Sequence, residues 1–278
     1  MDVIHSVAEL RARLKRETAV ALVPTMGNLH AGHLSLVTLA HDHGSCIVAT
    51  IFVNRLQFEP GGDFDRYPRT IEHDLAMLEE AGCNVVFAPG EKEMYPGPQE
   101  IRVTPPKVAE QLDGTHRPGH FEGVTTVVSK LFNIVAPHAA VFGKKDYQQL
   151  HVIRAMVKQL NFGIEIVAGE TVREPDGLAM SSRNNYLSAD ERKEAVMLSQ
   201  ELAKVKQAIE SGSHRQHRHE EMAMAALATA GWKVDYVALR NQAALAPPGA
   251  HDTELVVLGA AWLGKTRLID NMEIRAKA

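Results

Sequence analysis

Two histidines stand close together near the beginning of the chain, in the stretch PTMGNLHAGH at residues 24–33. His30 and His33 are three residues apart, so they share one face if the first turn of a helix has begun there. An imidazole N–H in that position can donate to a phosphate oxygen as negative charge develops on it. A helix N-terminus adds free backbone N–H groups and a positive dipole end, and Gly27 and Gly32 allow close backbone approach. The stretch therefore indicates phosphate chemistry.

Two other interpretations of these histidines stay open. An ordinary strand-to-helix turn would carry them on its surface, and a zinc site would use them as a ligand pair. Catalytic zinc requires a further protein ligand, and the sequence holds no HExxH or comparable partner. The sequence also lacks a Walker A motif and a GxGxxG after the first predicted strand. These absences count against a P-loop enzyme and against the common dinucleotide fingerprint.

Two uncharged amides follow the second predicted strand, in the segment FVNRLQF at residues 52–58. Asn54 and Gln57 can orient a substrate that carries hydroxyl and carboxylate groups. Taken alone, such a segment is more often a loop cap.

Two later segments carry cations and hydroxyls. Residues 142–149, FGKKDYQQ, follow the fourth predicted strand and supply two lysines, a glutamine and Asp146, which can cap the next helix or hold a metal. Residues 180–183, MSSR, follow the fifth predicted strand. The guanidinium of Arg183 can bind a phosphate through two parallel hydrogen bonds.

The predicted elements place all these segments at one edge of a sheet. Short apolar runs alternate with helical patterns in the first part of the chain, which predicts an α/β fold, a Rossmann-like parallel sheet with helices on both faces. Such sheets bind ligands beyond the carboxyl ends of their strands. The predicted strands span residues 19–24, 46–53, 84–88, 139–143 and 164–168, and the predicted helices span 34–43, 70–81, 125–135 and 147–160.

A smaller α+β C-terminal domain is predicted after about residue 175. Ser188 and Glu191 form a capping box, which predicts a helix reaching about residue 211. Residues 211–220, SGSHRQHRHE, are interpreted as a solvated turn, with a metal site as the alternative. A second helix is expected over 220–230 and strands over 233–239, 254–263 and 266–269. We therefore expect one domain at residues 1–175 and another at residues 176–278.

Composition narrows the class of protein. The 278 residues are 45% hydrophobic, enough for a sizeable core, and the formal net charge of −4 gives no basic surplus for gripping nucleic acid. The first 17 residues lack the apolar core of a signal peptide, and no apolar run approaches the roughly 20 residues that span a bilayer. Cys46 and Cys83 lack metal or redox spacing, so reduced buried thiols are expected. These features predict a cytoplasmic protein without a nucleic-acid or membrane partner.

Taken together, the segments resemble the pantoate–β-alanine ligase family over nearly the whole chain. The resemblance is carried by PTMGNLHAGHLSLV, IFVN..QF, YPRT, RPGHFEGV, FG.KDYQQL, VREPDGLAMSSRN, VDYVALR and GKTRLIDN. The first of these is also similar to the HIGH-type signature of a wider nucleotidyl-transferring superfamily. The resemblance implies that pantoate and ATP form pantoyl adenylate and pyrophosphate, and that β-alanine then gives pantothenate and AMP. It further implies Mg²⁺, a homodimer, and closure of the second domain over the nucleotide.

The resemblance also implies roles for single residues. The catalytic residues would be His33, His30, Lys145 and Arg183. The ATP site would comprise Met26, Gly27, Asn28, Leu29, His30, Ala31, Gly32, His33, Gly143, Lys144, Lys145, Asp146, Val172, Met180, Ser181, Ser182 and Arg183. Pantoate would be held by Gln57, Gln149 and Asn54, and β-alanine by Gln57. No residue is implied as a dedicated metal ligand, because no compact carboxylate cluster is present.

Two positions depart from the family pattern. Arg55 stands where the family usually has proline, and we expect it to loosen the turn and add a cation near the pantoate end. Lys144 stands where the family often has glutamate, and it would alter ATP affinity if its side chain faced the nucleotide. Two other functions remain open beside the ligase. One is a nucleotidyltransferase whose product is the adenylate or cytidylate itself, and the other is a nucleotide-binding module without turnover.

Overall fold

The computed structural model describes residues 1–59 and 64–277, and its first sheet is parallel throughout. The strands of this sheet are β1 (Asp2–Ile4), β2 (Val20–Thr25), β3 (Cys46–Ile51), β4 (Val85–Phe87), β5 (Ala139–Gly143) and β6 (Glu165–Gly169). Their order across the sheet is β1-β4-β3-β2-β5-β6. Without the edge strand β1, this is the 3-2-1-4-5 order of a doubly wound sheet, in which the order reverses between β2 and β5. The predicted parallel sheet is confirmed.

Helices cover both faces of this sheet. The helices before the end of this sheet are α1 (Val7–Leu14), α2 (Ala31–Ala40), α3 (Ile71–Glu80), α4 (Glu91–Met94), α5 (Asp113–His116), α6 (His120–Val135) and α7 (Tyr147–Gln159). After β6 come α8 (Ala189–Glu194), α9 (Met197–Glu210) and α10 (Gln216–Thr229). Successive residues of a strand point to opposite faces. Leu22 of β2 accordingly packs in the core formed with α1, α6 and α7, whereas Ala21 and Val23 pack against α2 and α3.

The second sheet is antiparallel and has its own core. It consists of β7 (Lys233–Asn241), β8 (Glu254–Leu263) and β9 (Thr266–Arg275), in the order β7-β8-β9. One face packs against α9 and α10, with Leu202, Leu227 and Leu239 fully buried. The predicted smaller α+β unit is therefore present. The expected domain boundary between residues 175 and 176 falls between the two sheets and stays a prediction.

Several element bounds differ from those predicted. Strand β1 was not expected, and α6 begins at His120 rather than at residue 125, because the polar and glycine residues of its first turn hide its apolar periodicity. The segment 189–211 forms two helices, with a break after α8, although the capping box of Ser188 and Glu191 is confirmed. Helix α10 begins at Gln216, so the stretch interpreted as a turn is partly helical.

Four short 3₁₀ turns complete the described structure: Arg55–Gln57, Lys107–Glu110, Lys144–Asp146 and Ser182–Tyr186. Three of them carry predicted site residues. Within the described ranges, no helix has the length and apolar character needed to cross a bilayer.

Candidate active site

A cleft of about 210 Å³ opens beyond the carboxyl ends of β2, β3, β5 and β6, where the strand order reverses. The structure brings together most of the predicted site residues in its walls. These are Met26, His30, Gly32, His33, Asn54, Gln57, Gly143, Lys145, Asp146, Gln149, Val172, Met180, Ser181, Ser182 and Arg183. The predicted residues that do not line it are Gly27, Asn28, Leu29, Ala31 and Lys144.

The turn between β2 and α2 is held by Asp74, a fully buried carboxylate on α3. It accepts hydrogen bonds from the backbone N–H groups of Asn28 (2.9 Å) and Leu29 (2.8 Å). Gly27 and Asn28 have φ values of 82° and 51°, the left-handed region that glycine and asparagine tolerate. Gly27, Asn28 and Leu29 thus shape the turn that presents the histidines. Sequence reasoning missed Asp74, although its spacing of four residues from the buried Leu78 puts it on the apolar face of its helix.

The two histidines cap the N-terminus of α2. The N–H of Gly32 donates to Nδ1 of His30 (3.1 Å), and the N–H of His30 donates to Nδ1 of His33 (3.3 Å). Because each Nδ1 accepts, each neutral ring carries its proton on Nε2. Burial lowers the pKa of His33 to about 3 and that of His30 to about 4, with Lys145 nearby adding to both shifts. Both rings are therefore neutral at pH 7 and keep an Nε2–H donor for a ligand.

Gly32 is required by the position of the His30 ring. A Cβ atom at Gly32 would lie 2.9 Å from both Cε1 and Nδ1 of that ring, closer than real Cβ contacts. The ring centroids of His30 and His33 are 4.1 Å apart, so the pair has little room to shift. The glycine between the histidines is thus part of the geometry that orients them.

Asn54 fixes the amide side of the cleft. Its Nδ2 donates to Oε1 of Gln57 (3.0 Å) and to the carbonyl of Gly123 (3.1 Å), and its Oδ1 accepts from the Tyr95 hydroxyl (2.7 Å). Oδ1 also accepts from the N–H of Leu56 (3.4 Å), so the amide makes four hydrogen bonds inside the protein. Gln57 in turn points its Nε2 to the sulfur of Met26 (3.1 Å). Asn54 therefore orients Gln57, whose side chain lines the cleft.

The side chain of Arg55 points away from the amides of Asn54 and Gln57. Its Nε donates to Oε1 of Glu91 on α4 (2.9 Å), and its guanidinium carbon lies 3.9 Å from the centroid of the Phe64 ring. The residue is exposed and does not line the cleft. The expectation that Arg55 adds a cation beside the pantoate end is therefore wrong, because its charge is directed to the surface.

The two neighbouring lysines differ in direction. Lys145 lines the cleft, with its Nζ 4.0 Å from Oδ2 of Asp146. Lys144 instead forms ion pairs with Glu170 (2.5 Å) and with Glu273 on β9 (2.9 Å). Its ammonium group thus faces the second sheet, and its predicted place in the ATP site stays a prediction.

A hairpin brings Val172 and the segment at residues 180–183 together. The N–H of Met180 donates to the carbonyl of Val172 (3.0 Å), and Arg173 pairs with Ala179 in an isolated bridge. Arg173 also donates to both carboxylate oxygens of the buried Asp270 on β9 (2.7 and 2.9 Å). This contact anchors the hairpin to the second sheet.

Sequence reasoning assigned no role to Arg117, the C-cap of α5, or to His120, the first residue of α6, and both line the same cleft. The Nη1 of Arg117 lies 3.1 Å from Nε2 of His120, and Nδ1 of His120 lies 2.9 Å from the carbonyl of Gln57. Arginine can only donate, so Nε2 accepts and Nδ1–H donates to Gln57. Burial lowers the pKa of Arg117 to about 10, and the positive charge of Arg183 contributes. The Pro-Gly pair between them was the available sequence signal.

A second cleft of about 520 Å³ adjoins the first. Arg117, Lys145, Asp146 and Arg183 line both clefts, while the far wall of the second is built largely from residues of α9, β8 and β9. A ligand longer than the first cleft can therefore continue between the two sheets. The arrangement suits a phosphate-bearing molecule beside the imidazoles and a neutral polar molecule beside the amides.

Comparison with known proteins gives one consistent family. A family model described as pantoate-beta-alanine ligase matches residues 2–273. The pantothenate synthetase of Nitrosospira multiformis is 58% identical over 277 residues, covering 100% of this chain and 99% of the relative. That of Nitrosomonas europaea is 59% identical over 271 residues, covering 98% of each.

Solved structures agree with this result. The pantothenate synthetase of Thermus thermophilus superposes with a TM-score of 0.94 at 44% identity, covering 99% of this chain and 100% of that one. The pantoate-beta-alanine ligase of Francisella tularensis, solved in complex with beta-gamma ATP and beta-alanine, gives a TM-score of 0.81 at 29% identity over 98% and 97% of the two chains. The resemblance carried by the motifs is thereby confirmed. The chain belongs to the pantoate–β-alanine ligase family and is a ligase.

Proposed function

We propose that this chain condenses pantoate with β-alanine to give pantothenate through a pantoyl-adenylate intermediate, consuming ATP and releasing pyrophosphate and AMP. One observation carries the proposal: a single cleft joins two neutral Nε2–H imidazoles and Lys145 to the oriented amide of Gln57. The first set suits ATP phosphates, and the second suits the hydroxyl and carboxylate groups of pantoate. The Francisella relative's complex with beta-gamma ATP and beta-alanine supports ATP and β-alanine as substrates.

In the first step, a carboxylate oxygen of pantoate attacks the α-phosphorus of ATP. A new P–O bond forms, the bond to the β-phosphate oxygen breaks, and pyrophosphate leaves with the electron pair. This step needs positioning and stabilisation of charge rather than an enzyme nucleophile. His33 and His30 donate from Nε2 to the phosphate oxygens, while Lys145 and Arg183 bring positive charge to the developing anion. Because both histidines are neutral and each Nδ1 accepts a backbone N–H, each ring offers its Nε2–H to a phosphate oxygen.

In the second step, the amine of β-alanine attacks the carbonyl carbon of the adenylate. The C–N bond forms, the C–O bond to AMP breaks, AMP leaves with that electron pair, and the nitrogen releases one proton to water. Gln57 and Gln149 hold pantoate through both steps, and Gln57 also meets β-alanine. Asn54 acts by positioning Gln57, because its own amide is fully hydrogen-bonded.

The nucleotide is proposed to bind between the segments that were predicted to form the ATP site. The residues around the phosphates and the adenine side are Met26, His30, Gly32, His33, Gly143, Lys145, Asp146, Val172 and residues 180–183. Gly27, Asn28, Leu29 and Ala31 supply the backbone of the turn that presents the histidines. Ser181 accepts from the N–H of Arg183 (3.2 Å), and Ser182 lies 3.5 Å from the Tyr67 hydroxyl, so the hydroxyl segment is anchored before ATP arrives.

Magnesium would neutralise charge on the phosphates when it is bound with ATP. Asp146 fits one of its ligand positions, because its exposed carboxylate lines the cleft and makes no cap hydrogen bond to α7. The part of the chain that the structure describes contains no group of three or more His, Cys, Asp or Glu side chains able to hold a metal ion. Magnesium commonly retains waters and binds through one or two carboxylates plus phosphates. A homodimer and a cytoplasmic location stay predictions.

The test measures pyrophosphate released from MgATP and pantoate, with and without β-alanine, together with AMP and pantothenate. We expect pantoate-dependent pyrophosphate in both cases and sustained turnover with AMP only when β-alanine is present. Adenylate accumulating as the final product would favour the nucleotidyltransferase, and ATP binding without pyrophosphate release would favour the non-catalytic module.

Two variants refine the test. His33→Ala should reduce adenylate formation severely in a folded protein, and turnover like that of the wild type would overturn the role of His33. Exchange of Gln57 for alanine should mainly raise the KM for pantoate, and an unchanged value would remove Gln57 from the pantoate site.

A further inference from the structure

The guanidinium of Arg117 is half-buried between the two clefts and lacks a carboxylate partner. Among the described residues, no carboxylate oxygen lies within 4.0 Å of it, and its contacts are His120 and the carbonyl of Gln57. Two other enclosed arginines are paired: Arg173 with Asp270, and Arg267 with Asp113 and Asp235. The carboxylates of Asp113 and Asp146 attract this cation without pairing with it directly. An enclosed cation that no carboxylate contacts favours an anionic ligand that can contact it.

The contacts that Arg117 does make fix its direction. Nε2 of His120 accepts from Nη1 (3.1 Å), and the carbonyl of Gln57 lies 3.5 Å from Nη2. His120 is itself held by its Nδ1–H bond to the same carbonyl (2.9 Å) and is buried. Five N–H groups are available on a guanidinium, and these contacts occupy two of them. The remaining donors form a fork that suits a carboxylate.

The location of Arg117 selects between the carboxylates of the two acid substrates. The carboxylate of pantoate must meet the α-phosphorus beside the histidines and loses its charge when it becomes the adenylate carbonyl. The carboxylate of β-alanine keeps its charge through both steps and must lie away from the phosphorus so that the amine faces the carbonyl. Arg117 adjoins Gln57, at the amide side of the cleft, and remains a cation throughout.

We propose that Arg117 binds the carboxylate of β-alanine and so selects ω-amino acids over simple amines as the second substrate. The inference rests on the function proposed above. His120 acts as a positioning residue, because it touches Arg117 and the Gln57 backbone and holds both in one geometry.

The test separates the two half-reactions in Arg117→Gln and Arg117→Lys. Pantoate-dependent exchange of pyrophosphate into ATP reports adenylation without β-alanine, and steady-state turnover with varied β-alanine reports amide formation. We expect exchange like that of the wild type and a KM for β-alanine raised about 10- to 100-fold, the effect of losing a hydrogen bond to a charged group. Arg102→Gln, at an arginine outside both clefts, serves as the matched control and should leave both measurements unchanged.

A second measurement varies the amine substrate in the wild type and in Arg117→Gln. The wild type should use 3-aminopropanamide, which lacks the carboxylate, about 10- to 100-fold less well than β-alanine. Arg117→Gln should discriminate little between the two amines. Equal discrimination by both proteins, or an unchanged KM for β-alanine in folded Arg117→Gln, would overturn the proposal.

Two further outcomes would contradict the inference on other grounds. A raised KM for ATP in the exchange reaction, with normal use of β-alanine, would show that Arg117 serves the phosphates and that the inference is wrong. Absence of pantoate-dependent exchange in the wild type would overturn the proposed function itself, and the inference with it.

Discussion

The ammonium group of Lys144 lies 2.9 Å from Oε2 of Glu273, and this ion pair joins the segment after β5 to the last strand of the second sheet. The hydroxyl of Tyr147 donates to the other carboxylate oxygen of Glu273 (2.9 Å), and Lys144 also meets Glu170. Two carboxylates thus surround Lys144, at the position where the resemblance led us to expect glutamate. The lysine side chain at residue 144 therefore contributes to the contact between the two sheets rather than to nucleotide binding.

Lys144→Glu should weaken that contact. A carboxylate at residue 144 would stand against Glu170 and Glu273, and we expect the free energy of unfolding to fall by about 1 kcal/mol, the scale of solvent-exposed ion pairs. Because the Lys144 ammonium does not line the cleft, the KM for ATP should change far less than it does on loss of Lys145. Urea unfolding and steady-state kinetics measure the two effects.

The control for this substitution is Lys158→Glu, at an exposed lysine of α7. Adding Glu273→Lys to Lys144→Glu should recover part of the lost stability, since it restores opposite charges at the pair. An additive double variant would show that the two side chains do not interact.

A second contact reaches the same segment from β9. Nδ2 of the buried Asn271 donates to the carbonyls of both Lys144 and Lys145, each at 2.9 Å. Asn271→Asp keeps the shape but removes the donor and faces a carboxylate with two carbonyl oxygens. We expect a loss of about 1–3 kcal/mol in stability and slower adenylation, because the Lys145 backbone is no longer held.

The measurement for Asn271→Asp is pantoate-dependent pyrophosphate exchange, with thermal unfolding alongside. Lys144→Met is the comparison, since it removes the ammonium but leaves both carbonyls bonded to Asn271. If Asn271→Asp loses stability but exchanges pyrophosphate at the wild-type rate, the contact is structural and does not position Lys145.

The sequence identified the sheet and the site segments because both depend on local patterns. Apolar runs such as residues 46–51 and the polar motifs that follow the strands are visible in the chain, and parallel topology gathers those strand ends at one edge. The directions of Arg55 and Lys144 could not be predicted, because each is decided by an acid distant in sequence, Glu91 and Glu273. Asp74 was missed for the same reason, since its partners are backbone N–H groups some 45 residues earlier.

Gly32→Ala should disturb catalysis more than stability. The added methyl group would lie 2.9 Å from the His30 ring, while alanine is the better residue for a helix. Displacing the ring would break its hydrogen bond from the Gly32 N–H and turn its Nε2–H away from the phosphates. We expect adenylation to fall about 10- to 100-fold, the scale of losing one oriented donor.

Gly163→Ala provides the matched control, because a Cβ there meets no atom within 4 Å. It should leave pyrophosphate exchange unchanged. Equal exchange rates for Gly32→Ala and the wild type would show that the orientation of His30 does not limit adenylation.

The buried histidines make stability depend on pH below neutrality. The pKa is about 4 for His30, about 3 for His33 and about 3 for His120, in each case lowered chiefly by burial. In the unfolded chain a histidine binds its proton near pH 6.5. Between these values the unfolded state holds more protons, so the free energy of unfolding rises with pH and is lost as the solution is acidified.

His120→Asn isolates one of these contributions, because asparagine does not titrate in this range. The variant should be less stable than the wild type at pH 7, since it disturbs the contacts to Arg117 and Gln57. From pH 7 to pH 5 the wild type should lose about 2 kcal/mol more than the variant, the linkage expected for one histidine held neutral by the fold. Urea unfolding at pH 7, 6 and 5 measures how far the difference in stability between the two proteins shrinks on acidification. His217→Asn, at a surface position, is the control. Parallel stability curves for His120→Asn and the wild type would mean that His120 takes up its proton in the folded protein as readily as in the unfolded chain, and that its bond from Arg117 does not keep Nε2 deprotonated.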